Sequence, residues 1–268
     1  MKKFFIAAFL LVTMIFAGCG NDGDASDNGG SSAKKIFVVG LDDHYAPMGF
    51  RNDKNEIVGF DVDLAKEAAK RMGVEFQFKP IDWGKKREEI TSGNIDILWN
   101  GTDITDERKE YMIYTRPYMD NRQILLVKKG NAYDIHSEGD LEGRVVGTQA
   151  GSSSRNYVDD NPKLKNSFKE FKTYLNFKEA FADLDSGNVD VLICDEIAGR
   201  YEISKIPQKF EVIEATIGPA CEIGVGFRKD DVELRDKVQK AFDSMVRDGT
   251  TKKISEKWFQ ADLIKYRK

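Results

Sequence analysis

The sequence predicts an α/β protein with two similar lobes and a cleft between them. A helix-like segment leads into Ser92-Gly93-Asn94 and then into an apolar strand at 95–99, and the same order recurs at Ser186-Gly187-Asn188 with a strand at 189–192. Polar residues directly follow each strand. Because ligands of open α/β sheets bind beyond the carboxyl ends of strands, the two repeats predict polar groups on both sides of one cleft.

The composition indicates a mildly acidic globular protein. The 268 residues suffice for one large or two modest domains, and the net charge is −4. No basic run stands out, so nucleic acid is not an expected partner. The two histidines are isolated and no CxxC is present, so neither a metal site nor a cofactor is expected. Cys194 and Cys221 either pair or are buried as small apolar residues, and we prefer the second interpretation.

Residues 1–18 have the pattern of a signal peptide. Lys2 and Lys3 precede an apolar stretch at 4–16 that is too short to span a membrane. The segment Phe16-Ala17-Gly18-Cys19 is typical of a bacterial lipobox, which predicts cleavage before Cys19 and lipidation of its thiol, with palmitate among the acyl groups. The alternative is ordinary signal cleavage beside an incidental cysteine. Residues 19–35, rich in Gly, Ser, Asn and Asp, predict a flexible tether that holds the folded body outside the cell membrane.

The first half of the folded body reads as alternating strands and helices. A buried strand at 35–40 runs into a loop, and apolar residues at helical spacing between Leu64 and Met72 predict a helix that Gly73 ends. A strand at 74–78, a turn containing Trp83 and a helix at 85–90 precede the first repeat.

The second half continues the alternation. A strongly apolar strand at 123–127 is expected to cross between the lobes, and 223–227 is expected to return. Between them we predict strands at 144–147 and 210–213 and a helix at 177–184. An amphipathic helix from Leu234 to Met245 stops before Gly249, and a last helix covers 253–259.

Six short motifs occur along the chain. Together and in this order they are specific, whereas any one of them alone would be a weak signal. They are Tyr45-Ala46-Pro47, the segment Gly59-Phe60-Asp61-Val62-Asp63-Leu64-Ala65, Ile104-Thr105-Asp106-Glu107-Arg108, Pro117-Tyr118, Gly151-Ser152-Ser153 and Asp195. With these motifs the chain resembles the extracytoplasmic solute-binding proteins of family 3, which serve polar amino acid ABC importers and include glutamine-binding and histidine-binding proteins. The resemblance spans about residues 35–260.

The resemblance implies a periplasmic-binding-protein type II fold with two crossover hinge strands and a ligand cleft between the lobes. Lobe 1 is expected at 36–122 and 224–268, and lobe 2 at 123–223. It implies a monomer that binds an amino acid (or cystine) and delivers it to the permease subunit of an ABC transporter. Cleft closure around the ligand is the expected mechanism.

A free amino acid is a zwitterion, so a dry cleft must supply partners for both of its charges. The resemblance assigns the ligand carboxylate to Arg108, whose guanidinium binds a carboxylate bidentately. Ser152 and Ser153, after Gly151, are expected to assist through backbone N–H groups and hydroxyls. On the sequence alone, Arg108 could instead form a surface ion pair, and the serines could cap a helix.

For the ligand ammonium, the resemblance assigns Asp195, with the backbone carbonyl of Gly101 from the other lobe. Asp195 could also cap the helix that follows it. Asp103 departs from the family pattern, which has Ser or Thr at this position. Its carboxylate either contacts the ammonium or a cationic side chain, or caps the helix that begins near Asp106.

The ligand side chain is expected between aromatic walls. Tyr45 and Trp83 match wall positions, although isolated aromatic residues are more often part of a core. Asp42 and Gln149 match positions that face the distal end of the ligand. Asp42 and Asp103 together favour a cationic or amide side chain, with glutamine, arginine, lysine, histidine and cystine as candidates.

Two rival functions remain at this level. The same fold hosts dehydratases of prephenate-like acids, but the polar groups here are accounted for by zwitterion binding, so we do not expect an enzyme. A ligand-sensing module without transport would require a separate signalling partner. No GxxxxGK[ST] motif is present, so an ATP site is not expected.

Overall fold

The computed structural model describes residues 34–131 and 133–265. The predicted signal peptide, Cys19 and nearly all of the predicted tether lie outside the described residues. Within the described ranges, no helix is both long enough and apolar enough to cross a membrane.

Thirteen strands and nine α-helices make up the described part of the chain. The strands are β1 Ile36–Leu41, β2 His44–Tyr45, β3 Gly49–Arg51, β4 Ile57–Val58, β5 Glu75–Pro80, β6 Ile97–Leu98, β7 Met112–Tyr114, β8 Met119–Lys128, β9 Val145–Gln149, β10 Glu170–Tyr174, β11 Val191–Asp195, β12 Phe210–Ile223 and β13 Gly226–Arg228. The helices are α1 Phe60–Met72, α2 Lys86–Thr91, α3 Asp106–Lys109, α4 Ser153–Asp159, α5 Pro162–Ser167, α6 Phe177–Ser186, α7 Glu196–Lys205, α8 Val232–Arg247 and α9 Thr250–Phe259.

Lobe 1 is built on a five-stranded sheet in the order β5-β1-β6-β13-β7. Strands β5, β1 and β6 are parallel, and β13 runs antiparallel to β6 and β7. Helices α1, α8 and α9 pack on one another, and α1 and α8 also pack against this sheet. Leu64, Ala68 and Phe242 are among the residues that bury the apolar faces of α1 and α8 in this core, and Gly73 ends α1 in the left-handed conformation.

Lobe 2 is built on a second five-stranded sheet in the order β10-β9-β11-β8-β12. Strands β10, β9 and β11 are parallel, and β8 is antiparallel to its neighbours β11 and β12. Helices α4, α6 and α7 pack on this sheet. A small sheet of β2, β3 and β4 follows the first strand of lobe 1. The prediction of an α/β protein with two lobes is confirmed.

The two lobes are joined by a pair of antiparallel strands, β8 and β12. Their pairing runs from Phe210 opposite Lys128 to Ile223 opposite Met119, with two irregularities in register. The second of these strands was predicted to end at 213, but it continues to Ile223. Beyond Ile223 the backbone hydrogen bonds go to lobe 1, where Gly224 N–H donates to Thr102 and Thr115 N–H to Val225.

Candidate functional site

The ten predicted ligand-binding residues line one small cavity between the lobes. They are Asp42, Tyr45, Trp83, Gly101, Asp103, Arg108, Gln149, Ser152, Ser153 and Asp195, and Asn100 joins them. Asp42 follows β1 and Gly101 follows β6, whereas Gln149 and Asp195 end β9 and β11. The residues therefore converge because the carboxyl ends of strands from both sheets face the same space.

Asp103 and Asp195 bring two carboxylates to one amide group. The side-chain nitrogen of Asn121 donates to Oδ1 of Asp103 at 3.0 Å and to Oδ1 of Asp195 at 2.6 Å. Asp195 also accepts from Gln123 at 2.7 Å and from the Tyr45 hydroxyl at 2.6 Å. This shared donor keeps two negative charges close together in a place that is hidden from water.

Burial dominates the electrostatics of this pair. Only 3% of Asp103 and 9% of Asp195 is exposed. Desolvation, followed by the negative charge of Asp195, raises the pKa of Asp103 to about 6. Desolvation and Asp195 likewise hold the pKa of the Tyr45 phenol well above its ordinary value, so the phenol remains a donor to the carboxylate. A cation placed between the two carboxylates would relieve their repulsion.

Asp103 does not cap the helix that follows it. The N-cap of α3 is Thr105, whose hydroxyl accepts from Arg108 N–H. The Asp103 carboxylate instead accepts a 2.5 Å hydrogen bond from the Ser153 hydroxyl of lobe 2. Asp195 precedes α7, but its side chain makes no capping hydrogen bond. The capping alternative is therefore wrong for Asp103, whereas Asp195 occupies the N-cap position of α7 without a capping hydrogen bond from its side chain.

Arg108 lies almost fully buried at the cavity, with 1% of its surface exposed. Its guanidinium donates to the backbone oxygens of Asp103 at 3.0 Å and Gly151 at 3.3 Å, while its Nε has no hydrogen-bond partner among the described residues. The guanidinium carbon lies 5.9 Å from the centre of the Trp83 ring. The alternative of a surface ion pair is excluded by this burial, and the unused donor is available to an incoming anion.

Ser152 and Ser153 lie at the start of α4 and serve different partners. Ser152 is the N-cap, and its hydroxyl accepts from Arg155 N–H. Ser153 reaches across to Asp103. The loop before them turns at Gly151, whose φ is +68°. Ser152 thus fixes the helix start at the cavity, which agrees with the capping role considered for this serine.

Asp42 and Gln149 join the two lobes at the cavity. The Gln149 amide donates to Asp42 at 2.7 Å, and Asn100 accepts from Asp42 N–H at 3.0 Å. Desolvation raises the pKa of Asp42.

Asp42, Asp43 and His44 are the one group in the described chain whose ligand atoms could hold a metal ion. Arg51 already forms an ion pair with Asp43, which makes this group a poor cation site.

Tyr45 and Gly101 form one wall of the cavity. The Tyr45 ring lies 5.9 Å from that of Phe177 on lobe 2. Gly101 has a φ of +56°, and a side chain there would come within 2.7 Å of the Tyr45 ring. Buried Asp61 accepts from Gly101 N–H and from the Tyr118 hydroxyl. The bond to its N–H holds the Gly101 backbone in place at the cavity.

Four functional candidates were missed in the sequence. Asn100 positions Asp42, Asn121 and Gln123 hold Asp195, and Lys86 reaches Gly151 across the cleft. Asn100 follows the first repeat strand directly, so its position offered a signal. Asn121 and Gln123 are two residues apart on β8 and so lie on the same face of the strand, but the sequence does not show which residues that face contacts.

The cavity is small because the lobes are closed on each other. Its volume is about 10 Å³, which is the space of about one water molecule. Side chains bridge the lobes at Asp42–Gln149, Asp103–Ser153 and Tyr45–Asp195. An amino acid can enter only if these bridges part, so any binding here requires the lobes to separate.

Comparison with known proteins identifies the family of this chain. The sequence profile of the bacterial extracellular solute-binding proteins, family 3, matches residues 37–261. The L-cystine-binding protein TcyJ of Escherichia coli strain K12 is 32% identical over 229 residues, covering 85% of this chain and 84% of TcyJ.

Solved structures agree in fold. The substrate-binding protein of an ABC uptake transporter from Streptococcus pneumoniae, crystallised with histidine, aligns with a TM-score of 0.81 and 35% identity, covering 86% of this chain and 95% of that one. An ancestral arginine-binding protein bound to arginine aligns with a TM-score of 0.78 and 36% identity, covering 84% and 99%. The chain belongs to family 3 of the bacterial extracellular solute-binding proteins.

Proposed function

We propose that this protein binds a polar amino acid outside the cytoplasm and delivers it to the permease of an ABC importer. The family and the relatives named for cystine, histidine and arginine support this proposal. The observation that carries it is the convergence of a buried arginine and two buried carboxylates, from both lobes, on one cavity. A zwitterion supplies the anion for Arg108 and the cation for Asp103 and Asp195.

The charge of the cavity favours a ligand with a second cationic group. Three buried carboxylates line the cavity, and Arg108 is the one cation in its lining. After the ligand ammonium is placed at Asp103 and Asp195, Asp42 remains at the distal end. Burial raises the pKa of Asp42, and a positive charge beside this carboxylate would offset that penalty. Arginine, lysine, histidine or the second ammonium of cystine would supply it, with glutamine as the neutral alternative.

A thermal-shift screen tests this proposal. The purified body, lacking residues 1–33, is melted with each common amino acid and with cystine, because a ligand of the native state raises the melting temperature. Arg108→Ala should abolish the shift. Arg247→Ala is the control, since Arg247 is exposed at the end of α8. No shift with any amino acid would contradict the proposal.

We propose that the site binds its ligand without converting it. The relatives are named as binding proteins. Mass spectrometry of the amino acid after long incubation with the protein should return it unchanged. Product formation that depends on Asp103 or Asp195 would favour an enzyme.

We propose that Cys19 carries the lipid anchor after removal of residues 1–18. The family supports an extracytoplasmic location. Expressed in a bacterial host, the wild-type chain should take up labelled palmitate and sediment with membranes, and Cys19→Ser should do neither. Cys221→Ser is the control, because Cys221 is a free thiol of the folded body. Labelling that survives Cys19→Ser would refute the anchor.

We further propose that the working unit is a monomer whose lobes, 36–122 with 224–268 and 123–223, close around the ligand. The antiparallel pair β8 and β12 supports this division, since it connects the two sheets. Light scattering during size-exclusion chromatography should give the mass of one chain, with and without ligand. A dimer would contradict the proposal.

A further inference from the structure

Lys86 is a buried lysine that the proposed ligand contacts do not use. It lies at the start of α2 with 5% of its surface exposed, whereas its neighbour Lys85 is exposed. Its Nζ lies 5.4 Å from the centre of the Trp83 ring and 3.3 Å from the Trp83 carbonyl oxygen. A lysine this buried requires a strong partner, because burial penalises the ammonium.

That partner comes from the other lobe. Lys86 Nζ donates to the backbone oxygen of Gly151 at 2.6 Å, and the Arg108 guanidinium donates to the same oxygen at 3.3 Å. Gly151 follows β9 in lobe 2, while α2 packs on β6 and β13 of lobe 1. Two basic side chains of lobe 1 therefore meet one carbonyl of lobe 2.

The approach at this point is close. A Cβ on Gly151 would lie 2.9 Å from the Gly84 Cα and 3.1 Å from the Trp83 oxygen. The loop before α2 and the loop before α4 thus touch backbone to backbone. Separation of the lobes breaks this contact and opens Lys86 to water.

We propose that Lys86 is a positioning residue which is taken out of water as the lobes close on Gly151, so that it couples amino acid binding to pH. This inference rests on the proposed function, because closure is driven by the bound amino acid. Lys86 acts through Gly151 and does not line the cavity itself.

The charges around Lys86 decide the direction of the coupling. Desolvation, followed by the charge of Arg108, lowers the pKa of Lys86 to about 7. The opposing charges that face it are Glu107, Asp82 and Asp103. In the open form the pKa returns toward the ordinary value near 10.4. Closure therefore releases a proton between about pH 7 and pH 10, and affinity rises with pH across that window.

The test compares dissociation constants at pH 6.5, 7.5 and 8.5. The probe is whichever of L-arginine, L-lysine, L-histidine, L-glutamine and L-cystine gives the largest thermal shift. Lys86→Met removes the amine at similar length, and Lys85→Met is the matched control because it removes an exposed charge one residue away. The titration of the probe and of the other cleft residues is common to all variants, so the ratio of the variant constant to the wild-type constant isolates Lys86.

We expect this ratio to rise about 25-fold from pH 6.5 to pH 8.5 for Lys86→Met and to stay constant for Lys85→Met. A constant ratio for Lys86→Met, with binding intact, would overturn this inference and leave the proposed function standing. Absence of binding by the wild type and by Lys85→Met would overturn both.

A second measurement needs no variant at Lys86. Calorimetry of probe binding to the wild type at pH 8, in buffers of different ionisation enthalpy, counts the protons exchanged. Release of protons supports the coupling. The count is corrected for the protons that the probe amine takes up on binding as the ammonium, calculated from the pKa of the free probe. Zero release or net uptake after this correction contradicts the coupling, even if Lys86→Met fails to fold.

Discussion

Asp103 and Asp195 are held by residues that orient them without neutralising them. Asn121 donates to both carboxylates, and Ser153 and Gln123 each serve one of them. Hydrogen bonds to the charged form favour ionisation, whereas burial opposes it. The ligand ammonium can therefore shift the balance, which makes the protonation of Asp103 part of binding.

We predict that affinity falls below pH 6 because of Asp103. Its pKa is about 6 in this structure, and an ammonium beside it lowers that value. The closed complex then binds fewer protons than the closed form without ligand, so the affinity of the closed form weakens as the pH falls through 6, by up to about tenfold per pH unit. Dissociation constants between pH 7 and pH 5 measure this effect.

Asp103→Asn should remove this acid slope, because an amide does not titrate. Asp106→Asn is the control, since the Asp106 side chain is 98% exposed in the next helix. An unchanged slope in Asp103→Asn would assign the pH effect to another group. The pH range in which Asp103 titrates lies below that of Lys86, so the two effects on affinity can be measured separately.

Asp195→Asn should weaken binding by about 10- to 100-fold, since a hydrogen bond to a charged group contributes roughly 1.5–3 kcal/mol. The matched control is Asp183→Asn. Asp183 also accepts from a tyrosine, Tyr174, and from an asparagine, Asn188, but it lies outside the cavity lining. Isothermal calorimetry measures affinity, and melting temperature reports stability.

Both variants are expected to lose some stability, because each leaves a donor facing an amide nitrogen. Only Asp195→Asn should lose affinity. Equal affinities for the two variants would contradict the role of Asp195 in binding.

At the scale of elements, strand β9 is flanked by two glycines that share a conformation and differ in surroundings. Gly143 has a φ of +70° and Gly151 a φ of +68°. A Cβ on Gly143 would meet nothing within 4 Å, whereas one on Gly151 would meet the backbone of lobe 1. Alanine substitutions at these two positions therefore distinguish the effect of backbone strain, which both share, from interference with closure, which only Gly151 would cause.

We predict that Gly143→Ala and Gly151→Ala each lower the free energy of unfolding by about 1–2 kcal/mol, the strain of a left-handed alanine. Only Gly151→Ala should also weaken ligand binding, because its methyl group obstructs contact between the lobes. Chemical denaturation and calorimetry test the two effects. A Gly151→Ala variant that binds like the wild type would show that closure does not require this approach.

At the scale of the whole molecule, the closed cleft implies motion. The cavity admits about one water molecule, and contacts across it join side chains of both lobes. Ligand entry therefore requires an open form, and one ligand that binds both lobes favours the closed form.

We predict that the radius of gyration, measured by small-angle X-ray scattering, decreases when a binding amino acid is added. Arg108→Ala should show no change at the same ligand concentration, and Arg247→Ala should behave like the wild type. An unchanged radius with ligand demonstrably bound would contradict closure of the lobes.

Local patterns in the sequence were enough to predict the α/β alternation, the two repeated strand ends and the family resemblance. These follow from local patterns, since strands and helices have characteristic apolar periods and the motifs are short. It also named ten residues that converge on one cavity. Their roles as ligand contacts stay predictions.

Tertiary structure alone decided which partners these residues meet. Nothing in the order of residues indicates that Asn121 holds two aspartates, that Thr105 rather than Asp103 caps α3, or that Lys86 is buried while Lys85 is exposed. Each depends on packing between segments distant in sequence. The physical reason is that hydrogen-bond partners, burial and pKa arise from the closed arrangement of two lobes, whereas periodicity is a property of neighbouring residues.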